Sequence, residues 1–528
     1  MDWRPFTFNA TENESKLVIH WRRLLALAFI GLFGGWVFST FGAFLFIKYY
    51  RGFSDVRYAE LFWPNRWADY RVNEGNYYID HAEELLKQAE VVSALQYIRS
   101  GVSKSPSNAR GRTTLAGLYL AFRRPDLARE TLLEGLKYLP ADPAYWETTL
   151  SFLLSIQEDD RLLEAAKIIL EKPTAANAAC RPVAATYAAT AAFYRGNFDL
   201  TEDLLTQHHL RESLDGATLL ARIEWERGYP ELALLQLRDY LSLHPSHDSA
   251  RALLASYYRA LNRTNEWEST IVERLVSDPL AAAPHIEYLY LHQQRGDKTR
   301  LERETESYLS SFQNDTSALL LLADFAANTG RPALARRVQQ ILSGRNENSG
   351  AAALMVAEAS LAAGDYQGAL NLIGGYSRQY PEWTSQFAPV FSGLQAVALY
   401  GLGKKDEARL YLDNLLGQKN LRADNLVAVA NRLSALGARD LAVSALSRAV
   451  ETDPLNQPAL ANLVRIETEQ GAMATLPAHL QHYLHSRKPS REILAHAYET
   501  IGSDRYLFLP GQNDLLAALR LALAPRHS

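Results

Sequence analysis

The stretch GDYQGALNLIGGYSRQYP, residues 364–381, decides the fold. Its glycine, Gly364, precedes Ala369 by five residues, and Pro381 follows that alanine by twelve. The same residue types return along the chain at intervals of 34 residues. This interval separates the members of each of the following sets: Gly296, Gly330 and Gly364; Gly403, Gly437 and Gly471; Ala335 and Ala369; Ala408 and Ala442; Pro106 and Pro140; Pro245 and Pro279. A fixed period of this length predicts a solenoid in which helical hairpins stack on one another.

Each repeated residue type has a physical role in such a hairpin. The Gly ends the first helix, because the turn that follows needs a residue with positive φ. An apolar or aromatic residue after it, such as Phe198 or Tyr366, fixes the turn. Alanines such as Ala369 let the helices approach closely, and leucines at helical spacing fill the space between pairs. The Pro then stops the second helix, since it lacks the amide donor and clashes with the preceding turn.

The pattern resembles the tetratricopeptide repeat family, and the resemblance covers roughly residues 75–489. It implies an all-α fold, a right-handed superhelical α-solenoid of tetratricopeptide-repeat-like helical hairpins. We read about twelve units, which start near residues 75, 109, 143, 182, 214, 248, 282, 316, 350, 389, 423 and 457. The unit at 143–176 lacks the turn glycine, and two insertions, 173–181 and the loop at 380–388, disturb the period. Residues 490–528 are expected to form helices that cap the last repeat.

An uncharged apolar run, LLALAFIGLFGGWVFSTFGAFLFI, occupies residues 24–47. At about 1.5 Å of rise per residue this run is about 36 Å long, enough to cross a bilayer with some tilt. It is longer than the apolar core of a cleaved signal peptide, so we predict an uncleaved signal anchor and one transmembrane helix. Residues 1–23 are then a short N-terminal tail, and residues 48–74, rich in aromatic residues and arginine, are an interfacial collar.

Basic residues flank both ends of the apolar run. Within about 20 residues of each end there are four of them on each side, so their count alone does not decide the orientation. Arg22 and Arg23 directly precede the run. This pair favours a cytoplasmic N-terminus, with the repeats on the extracytoplasmic side, the periplasm of a bacterial envelope.

One face of the apolar run carries small residues at intervals of four: Gly31, Gly35, Ser39 and Ala43. Small residues at this spacing let two helix backbones approach closely, so this face is predicted to be the seam of a homodimer. The alternative is that small residues are simply common in membrane helices.

Composition and motifs argue against nucleic-acid binding and against catalysis. The net charge is −4, from 55 basic and 59 acidic residues, without the basic excess that a nucleic-acid partner requires. Cys180 is the only cysteine, which excludes an intrachain disulfide and a cysteine-based zinc site. The chain contains no phosphate-binding glycine loop, no GxSxG elbow and no HExxH motif.

The best metal candidates are His479, His482 and His485, which follow one another at intervals of three. The first and the last of them diverge by about 120° around a helix, so solvated surface histidines are predicted instead of a metal site. We therefore expect no enzyme, no catalytic residue, no cofactor and no metal.

In the tetratricopeptide repeat family the first helices of the repeats line a concave groove that binds other proteins. The resemblance therefore implies groove residues on the solvent-facing stripe of each first helix. In this sequence those residues are Arg222, Trp225, Ser256, Arg259, Tyr290, Gln293, Asp324 and Asn328. Arginine and aromatic residues are frequent hot spots at protein interfaces. The alternative is a merely solvated wall.

These features predict a single-pass membrane-anchored scaffold that binds other proteins through its groove. By analogy with bacterial envelope proteins of this layout, it would assemble or recruit an envelope complex. Two alternatives stay open: an accessory subunit of a polysaccharide or secretion enzyme system, and a purely structural spacer.

Overall fold

The computed structural model of the chain describes residues 6–11, 14–345, 349–419 and 421–524. Contacts between residues divide the chain into two compact units, Met1–Tyr187 and Ala188–Ser528. Apart from one short hairpin, the regular elements of the described residues are helical, so the all-α prediction is confirmed.

The hairpin lies in the segment that we expected to be a short tail. Strand β1, Phe6–Thr11, pairs antiparallel with β2, Glu14–Ile19, and Phe6 stands opposite Ile19. Two strands of six residues each do not change the fold class, and they lead directly into the apolar helix.

The apolar run forms α1, Trp21–Leu45, which continues into a π-helical stretch, Phe46–Tyr50. Together they make a helix of 30 residues with a mean hydropathy of 2.0. At about 1.5 Å per residue it is about 45 Å long, more than the hydrocarbon thickness of a bilayer. The chain therefore has one N-terminal helix that is long and apolar enough to cross a membrane.

The remaining helices of the first unit run antiparallel in pairs. They are α2 Tyr58–Phe62, a 3₁₀ turn Pro64–Arg66, α3 Trp67–Lys87, α4 Val91–Lys104, α5 Ala109–Ala121, α6 Pro125–Gly135, α7 Pro143–Ser155 and α8 Asp159–Glu171. Helix α9, Cys180–Tyr194, runs across the boundary between the units.

The second unit continues the same pairing. Its helices are α10 Phe198–Gln207, α11 Leu214–Glu226, α12 Pro230–Leu243, α13 Asp248–Ala260, α14 Thr264–Ser277, α15 Ala282–Arg295, α16 Lys298–Phe312, α17 Thr316–Asn328, α18 Pro332–Gly344, α19 Ser349–Ala362, α20 Tyr366–Gln379, α21 Pro381–Gln386, α22 Ala388–Gly401, α23 Lys405–Leu416, α24 Ala423–Ala435, α25 Arg439–Thr452, α26 Gln457–Gln470, α27 Leu476–Leu484, α28 Arg491–Ile501, a 3₁₀ turn Asp504–Tyr506 and α29 Gln512–Leu523.

The turn between the two helices of a pair depends on one residue with positive φ. The six glycines that define the period have φ between 65° and 81°: Gly296, Gly330, Gly364, Gly403, Gly437 and Gly471. Where the glycine is missing, the turn keeps its shape with another residue, as at Ala89, Arg123, Gln157 and Asn262, whose φ lies between 56° and 61°. The first three of these are again 34 residues apart. The left-handed conformation costs such a residue about 1–2 kcal/mol.

The Asp that follows the turn glycine begins the second helix. Asp365 Oδ1 accepts a hydrogen bond from the Gly368 amide at 2.8 Å, and Asp297 Oδ1 accepts one from the Arg300 amide at 3.1 Å. Each side chain satisfies an amide that would otherwise lack a partner, and such a cap stabilises a helix by about 1 kcal/mol. The Gly-Asp sequence therefore encodes the end of one helix and the start of the next.

Alanines allow the helices to approach closely in the core. The six periodic alanines have no exposed surface: Ala94, Ala128, Ala335, Ala369, Ala408 and Ala442. Tyr366 packs just as closely, since a Cβ added at Gly401 would lie 2.6 Å from its ring. Neighbouring pairs are also joined by ion pairs on their surface, such as Arg295 with Glu268 at 2.6 Å. Each repeat thus contacts mainly the next one, as in other solenoids.

The second insertion contains a helix, which corrects our expectation of a loop. Helix α21 places Trp383 against the rings of Tyr376 and Phe391, with ring centroids 6.1 Å and 5.2 Å away. The extra residues therefore add apolar contacts between α20 and α22 and lengthen the period without opening a gap. Trp383 was read as part of a loop because the two prolines near it, Pro381 and Pro389, are typical of loops.

The last helices bury the end of the repeats. Leu494 and Ala497 of α28 and Leu515 of α29 belong to one buried cluster with Leu460 and Val464 of α26. The apolar side of α26 is thereby covered at the end of the array, which is the role we expected of residues 490–528.

We expect opposite effects from substitutions at two turn positions. Gly437 has φ 81° and no heavy atom near the position of a Cβ, so Gly437→Ala tests the backbone conformation alone. It should destabilise α24 and α25 by about 1 kcal/mol, whereas Arg123→Gly should stabilise α5 and α6 by about 0.5–1 kcal/mol. Native-state hydrogen exchange of these helices measures both changes. Two changes of the same sign would contradict this account of the turn.

One buried histidine makes the second unit sensitive to pH. His292 of α15 has no exposed surface, and neither ring nitrogen has a hydrogen-bond partner within the described residues. Burial lowers its pKa; Arg300 acts in the same direction, while Asp297, Glu304 and Glu268 oppose the shift. The unfolded chain, with a histidine pKa of about 6.5, therefore binds a proton at a pH where the folded chain does not.

We expect the free energy of unfolding to fall as the pH drops below about 6.5, by up to about 1.4 kcal/mol per pH unit from this residue. His292→Leu should remove this contribution, because leucine takes no proton. Denaturant unfolding of both proteins at pH 7.5 and pH 5.5 makes the comparison. Equal losses of stability in the two proteins would show that His292 is not responsible.

Candidate functional site

The 34-residue register places the predicted groove residues at matching positions of consecutive first helices. Arg222, Ser256, Tyr290, Asp324 and Glu358 occupy the same position in α11, α13, α15, α17 and α19. Trp225, Arg259 and Gln293 share a second position, three residues further along each helix. We call the predicted set of Arg222, Trp225, Arg259, Tyr290, Gln293, Asp324 and Asn328 the first-helix stripe.

Aromatic rings and one arginine connect the middle of the stripe. Trp225 stacks on Tyr257 of α13, with the two ring centroids 4.0 Å apart and the planes within 6° of each other. The guanidinium of Arg259 lies over two rings, 5.5 Å from the centroid of Trp267 and 5.4 Å from that of Tyr290. Each cation–π contact contributes about 0.5–1 kcal/mol at an exposed site. Trp225, Arg259 and Tyr290 are thus held in place before any ligand binds.

The far half of the stripe is acidic. Asn328 Nδ2 donates to Asp324 Oδ2 at 3.0 Å and lies 3.4 Å from the Tyr290 hydroxyl. Burial raises the pKa of the Asp324 carboxyl, and the charge of Glu358 one repeat further raises it again. Glu358 in turn pairs with Arg432 of α24 at 3.3 Å.

Two members of the stripe lack such contacts. Gln293 is exposed and makes no side-chain hydrogen bond within the described residues. Arg222 is also exposed, and its charge opposes the burial that raises the pKa of Tyr257 to about 12. The structure therefore connects Arg259, Tyr290, Asp324 and Asn328 into one row and leaves Arg222 and Gln293 open to solvent.

A loop from the end of the chain reaches the first repeats of the second unit. The loop, residues 485–490, lies between α27 and α28 and is called the basic loop here. Lys488 Nζ lies 2.6 Å from Glu226 Oε1 of α11 and 4.1 Å from the ring centroid of Phe193 in α9. The Arg487 guanidinium lies 4.5 Å from the ring centroid of Tyr194. Glu226 is the neighbour of Trp225, so the basic loop contacts the chain beside the stripe.

The collar, residues 48–74, folds back along the apolar helix. Trp36 Nε1 donates to the carbonyl of Phe62 at 3.1 Å, and its ring centroid lies 6.1 Å from that of Trp67. Thr40 Oγ1 lies 3.2 Å from the Tyr58 hydroxyl. The collar thus contacts the C-terminal half of α1 as well as following its end.

The predicted dimer seam lies on a face of α1 that the collar leaves open. No heavy atom approaches within 4 Å of a Cβ built at Gly31 or Gly35, and Ser39 and Ala43 are exposed. The Ser39 hydroxyl donates to the carbonyl of Gly35 at 2.7 Å within the same helix. The homodimer stays a prediction.

A basic cleft in the first unit is the largest concave feature described there. Its volume is about 620 Å³, and Arg71, Arg99, Lys104 and Arg112 contribute to its lining. Lys104 Nζ pairs with Glu74 Oε2 at 2.5 Å, and Arg112 Nη1 donates to the carbonyl of Thr131 at 2.8 Å. Only Arg71 and Arg99 of these four have no ion-pair partner within the described residues.

The histidines of α27 are not all solvated, which corrects our expectation. His479 Nδ1 lies 2.8 Å from Glu467 Oε2, and this carboxylate is almost completely buried. The hydroxyl of Thr475 donates to the other oxygen of Glu467 at 2.6 Å. His485 Nδ1 lies 2.7 Å from the carbonyl of Gln481. Within the described residues no group of three or more metal-binding side chains comes together.

Several contacts of the site were missed by the reading of the sequence. Tyr257 and Trp267 support Trp225 and Arg259, but each reads simply as an apolar residue of its helix. Arg251 Nη2 donates to the carbonyl of Pro245 at 2.5 Å, and Arg112 Nε donates to that of Pro106 at 2.7 Å. The spacing of six residues from proline to arginine is visible in the sequence and could have predicted these two bonds.

Comparison with known proteins places a repeat family in the first unit. The tetratricopeptide repeat family model matches residues 85–149, from the end of α3 to the middle of α7. A search of curated proteins gave no match.

Solved structures of repeat proteins are similar at low identity. A tetratricopeptide repeat protein from Parabacteroides merdae is 14% identical, with a TM-score of 0.33, over 47% of this chain and 97% of that one. PilW, a type IV pilus biogenesis factor, is 14% identical, with a TM-score of 0.28, over 46% of this chain and 96% of its own. Naa15/Naa10 bound to HypK-THB is 14% identical, with a TM-score of 0.29, over 93% of this chain and 78% of that one.

Proposed function

We propose, from the tetratricopeptide repeats that this chain carries, that it is a membrane-anchored scaffold that binds other proteins through its first-helix stripe. The match at residues 85–149 confirms the family that the sequence predicted. Repeats of this kind present extended surfaces to protein partners, and few of them catalyse reactions.

The row of Arg259, Tyr290, Asp324 and Asn328 is the observation that carries this proposal. Arginine and tyrosine are enriched among the residues that dominate binding energy, especially where they are held in place beforehand. Arg259 is held between two rings, and Tyr290 packs edge-on against Phe325 at 4.8 Å between ring centroids. Such a row loses little side-chain freedom when a partner segment lies along it.

Membrane attachment follows from α1. We propose that the helix stays in the membrane as a signal anchor, and that residues 1–23 are cytoplasmic while the repeats lie in the periplasm. The partner would then belong to an envelope complex, whose assembly or recruitment the scaffold serves. An accessory role in a polysaccharide or secretion enzyme system is a special case of the same proposal, in which the partner is the enzyme. A homodimer through Gly31, Gly35, Ser39 and Ala43 would double the number of grooves.

The stripe can be tested by its effect on bound proteins. We expect the Arg259→Ala, Tyr290→Ala double variant to lose at least 90% of the partner that copurifies with the wild-type chain from detergent-solubilised membranes. The matched control is Arg303→Ala, Tyr229→Ala, since both side chains are more than half exposed and lie outside the stripe. Quantitative mass spectrometry measures the partner, and thermal unfolding checks that both variants are folded. Partners unchanged in both variants would contradict the stripe and favour the structural spacer.

The orientation can be tested with a reporter that works only outside the cytoplasm. Fused after Ser528, it should be active in the wild-type chain. Arg22→Asn with Arg23→Asn should weaken the signal, because the basic residues near the apolar run fall to two on that side against four on the other. The exposed pair Arg123→Asn, Arg124→Asn is the control and should leave the signal unchanged. A silent wild-type fusion would place the repeats in the cytoplasm.

A further inference from the structure

The contact between the basic loop and α11 is not a product of repeat stacking. Repeats of a solenoid contact their neighbours, and stacking brings together residues about one repeat apart. Lys488 and Glu226 are 262 residues apart in the sequence. Both lie in the second unit, so this contact joins the end of that unit to its first repeats.

The backbone of the basic loop is fixed in an unusual conformation. Lys488 has φ 43°, in the left-handed region, although it has a long side chain and no glycine is present in the loop. Gln457 Nε2 donates to the carbonyl of Arg487 at 2.9 Å, and the amide of Ser490 donates to the Tyr483 hydroxyl at 2.8 Å. Strained residues of this kind persist where the surroundings hold them, and they cluster at functional sites.

The surface that receives the two cations is suited to basic side chains. We call Phe193, Tyr194 and Glu226 the cradle: two ring faces and one carboxylate. The nearby Arg227 is already paired with Glu202 and Glu224, and Lys488 is the recorded ion-pair partner of Glu226. Without the basic loop, the cradle would therefore present a free carboxylate beside two aromatic faces, which is the usual composition of a site for ammonium or guanidinium groups.

We propose that the cradle is the subsite of the first-helix stripe that takes an Arg-Lys pair of a partner protein, and that Arg487 and Lys488 occupy it until the partner displaces them. This inference rests on the proposed function, because it names the partner chemistry at one end of the same stripe. Asp324 and Glu358 continue the acidic character along the stripe, which suits a partner segment with further basic residues.

The contacts of the basic loop are of the kind that a partner can displace. An ion pair between half-exposed side chains is weak, and a cation–π contact at such a site is modest. A loop that occupies its own binding site lowers the apparent affinity for a partner by the fraction of molecules in which the site is open. The basic loop would thus set a threshold that weak basic ligands do not pass.

The test measures the binding of a basic peptide to the full-length chain in detergent micelles. The probe is a fluorescent copy of residues 482–492, and the control peptide has Gln in place of its Arg and Lys at positions 487 and 488. Fluorescence anisotropy is recorded with the wild-type chain and with Arg487→Gln, Lys488→Gln, which empties the cradle. We expect the probe to bind the emptied variant at least tenfold more tightly than the wild type, and the control peptide to bind neither.

A further variant keeps the test independent of folding. Glu226→Gln preserves shape and removes the charge, so adding it to the emptied variant should weaken probe binding at least tenfold. Circular dichroism should show the same thermal unfolding for all three variants. Equal binding of the probe to the wild-type and emptied chains, or equal binding of probe and control peptide, would overturn the proposal.

The outcome is separable from that of the stripe test. If Arg259→Ala, Tyr290→Ala keeps its partner while the probe behaves as expected, the proposed function fails and the assignment of the cradle to a partner fails with it. If the stripe variant loses its partner and the probe fails to discriminate, only the inference about the cradle is overturned.

Discussion

The left-handed turn residue between the two helices of each pair is the constraint on which the rest of this structure depends. It recurs every 34 residues over most of the chain, at Gly228, Asn262, Gly296, Gly330 and Gly364, for example. Because the turn fixes the angle at which the second helix leaves the first, a constant interval gives every repeat the same geometry. Matching positions of successive first helices then fall in line, and this alignment produces the first-helix stripe.

The stripe combines this alignment with residues that are specific to this chain. Arg259 between Trp267 and Tyr290, and Trp225 against Tyr257, use rings of neighbouring helices as rigid supports. The basic loop then joins the end of the second unit to α9 and α11, which no nearest-neighbour contact would do. A binding surface, its supports and an internal occupant of one subsite are therefore found in one unit.

The sequence predicted the parts of this account that depend on local chemistry. Gly364, Asp365 and Pro381 define a hairpin through backbone conformation, capping and a missing amide, and each effect acts within a few residues. The turns at Arg123 and Gln157 were harder to recognise, because a residue other than glycine adopts the left-handed conformation there, with support from the packing of both helices. The stripe followed from the family resemblance, but its supporting rings belong to second helices or to other faces and carry no separate signal.

Contacts between distant residues could not be predicted from one sequence. Nothing around Lys488 indicates that it meets Glu226, since the meeting depends on the summed geometry of all the repeats between them. The same limit explains the wrong expectation for His479, whose partner Glu467 lies on the preceding helix. It also explains why the collar was expected beyond the end of α1, whereas Tyr58 and Trp67 lie along it.

The most direct test of this account is carbodiimide crosslinking of the unmodified full-length chain in detergent, because the reagent joins only amines and carboxylates that are already in contact. The account expects mass spectrometry to find an amide bond between Lys488 and Glu226, whose side-chain atoms lie 2.6 Å apart. A chain in which Lys488 is joined only to carboxylates close to it in sequence, such as Glu492, would contradict it.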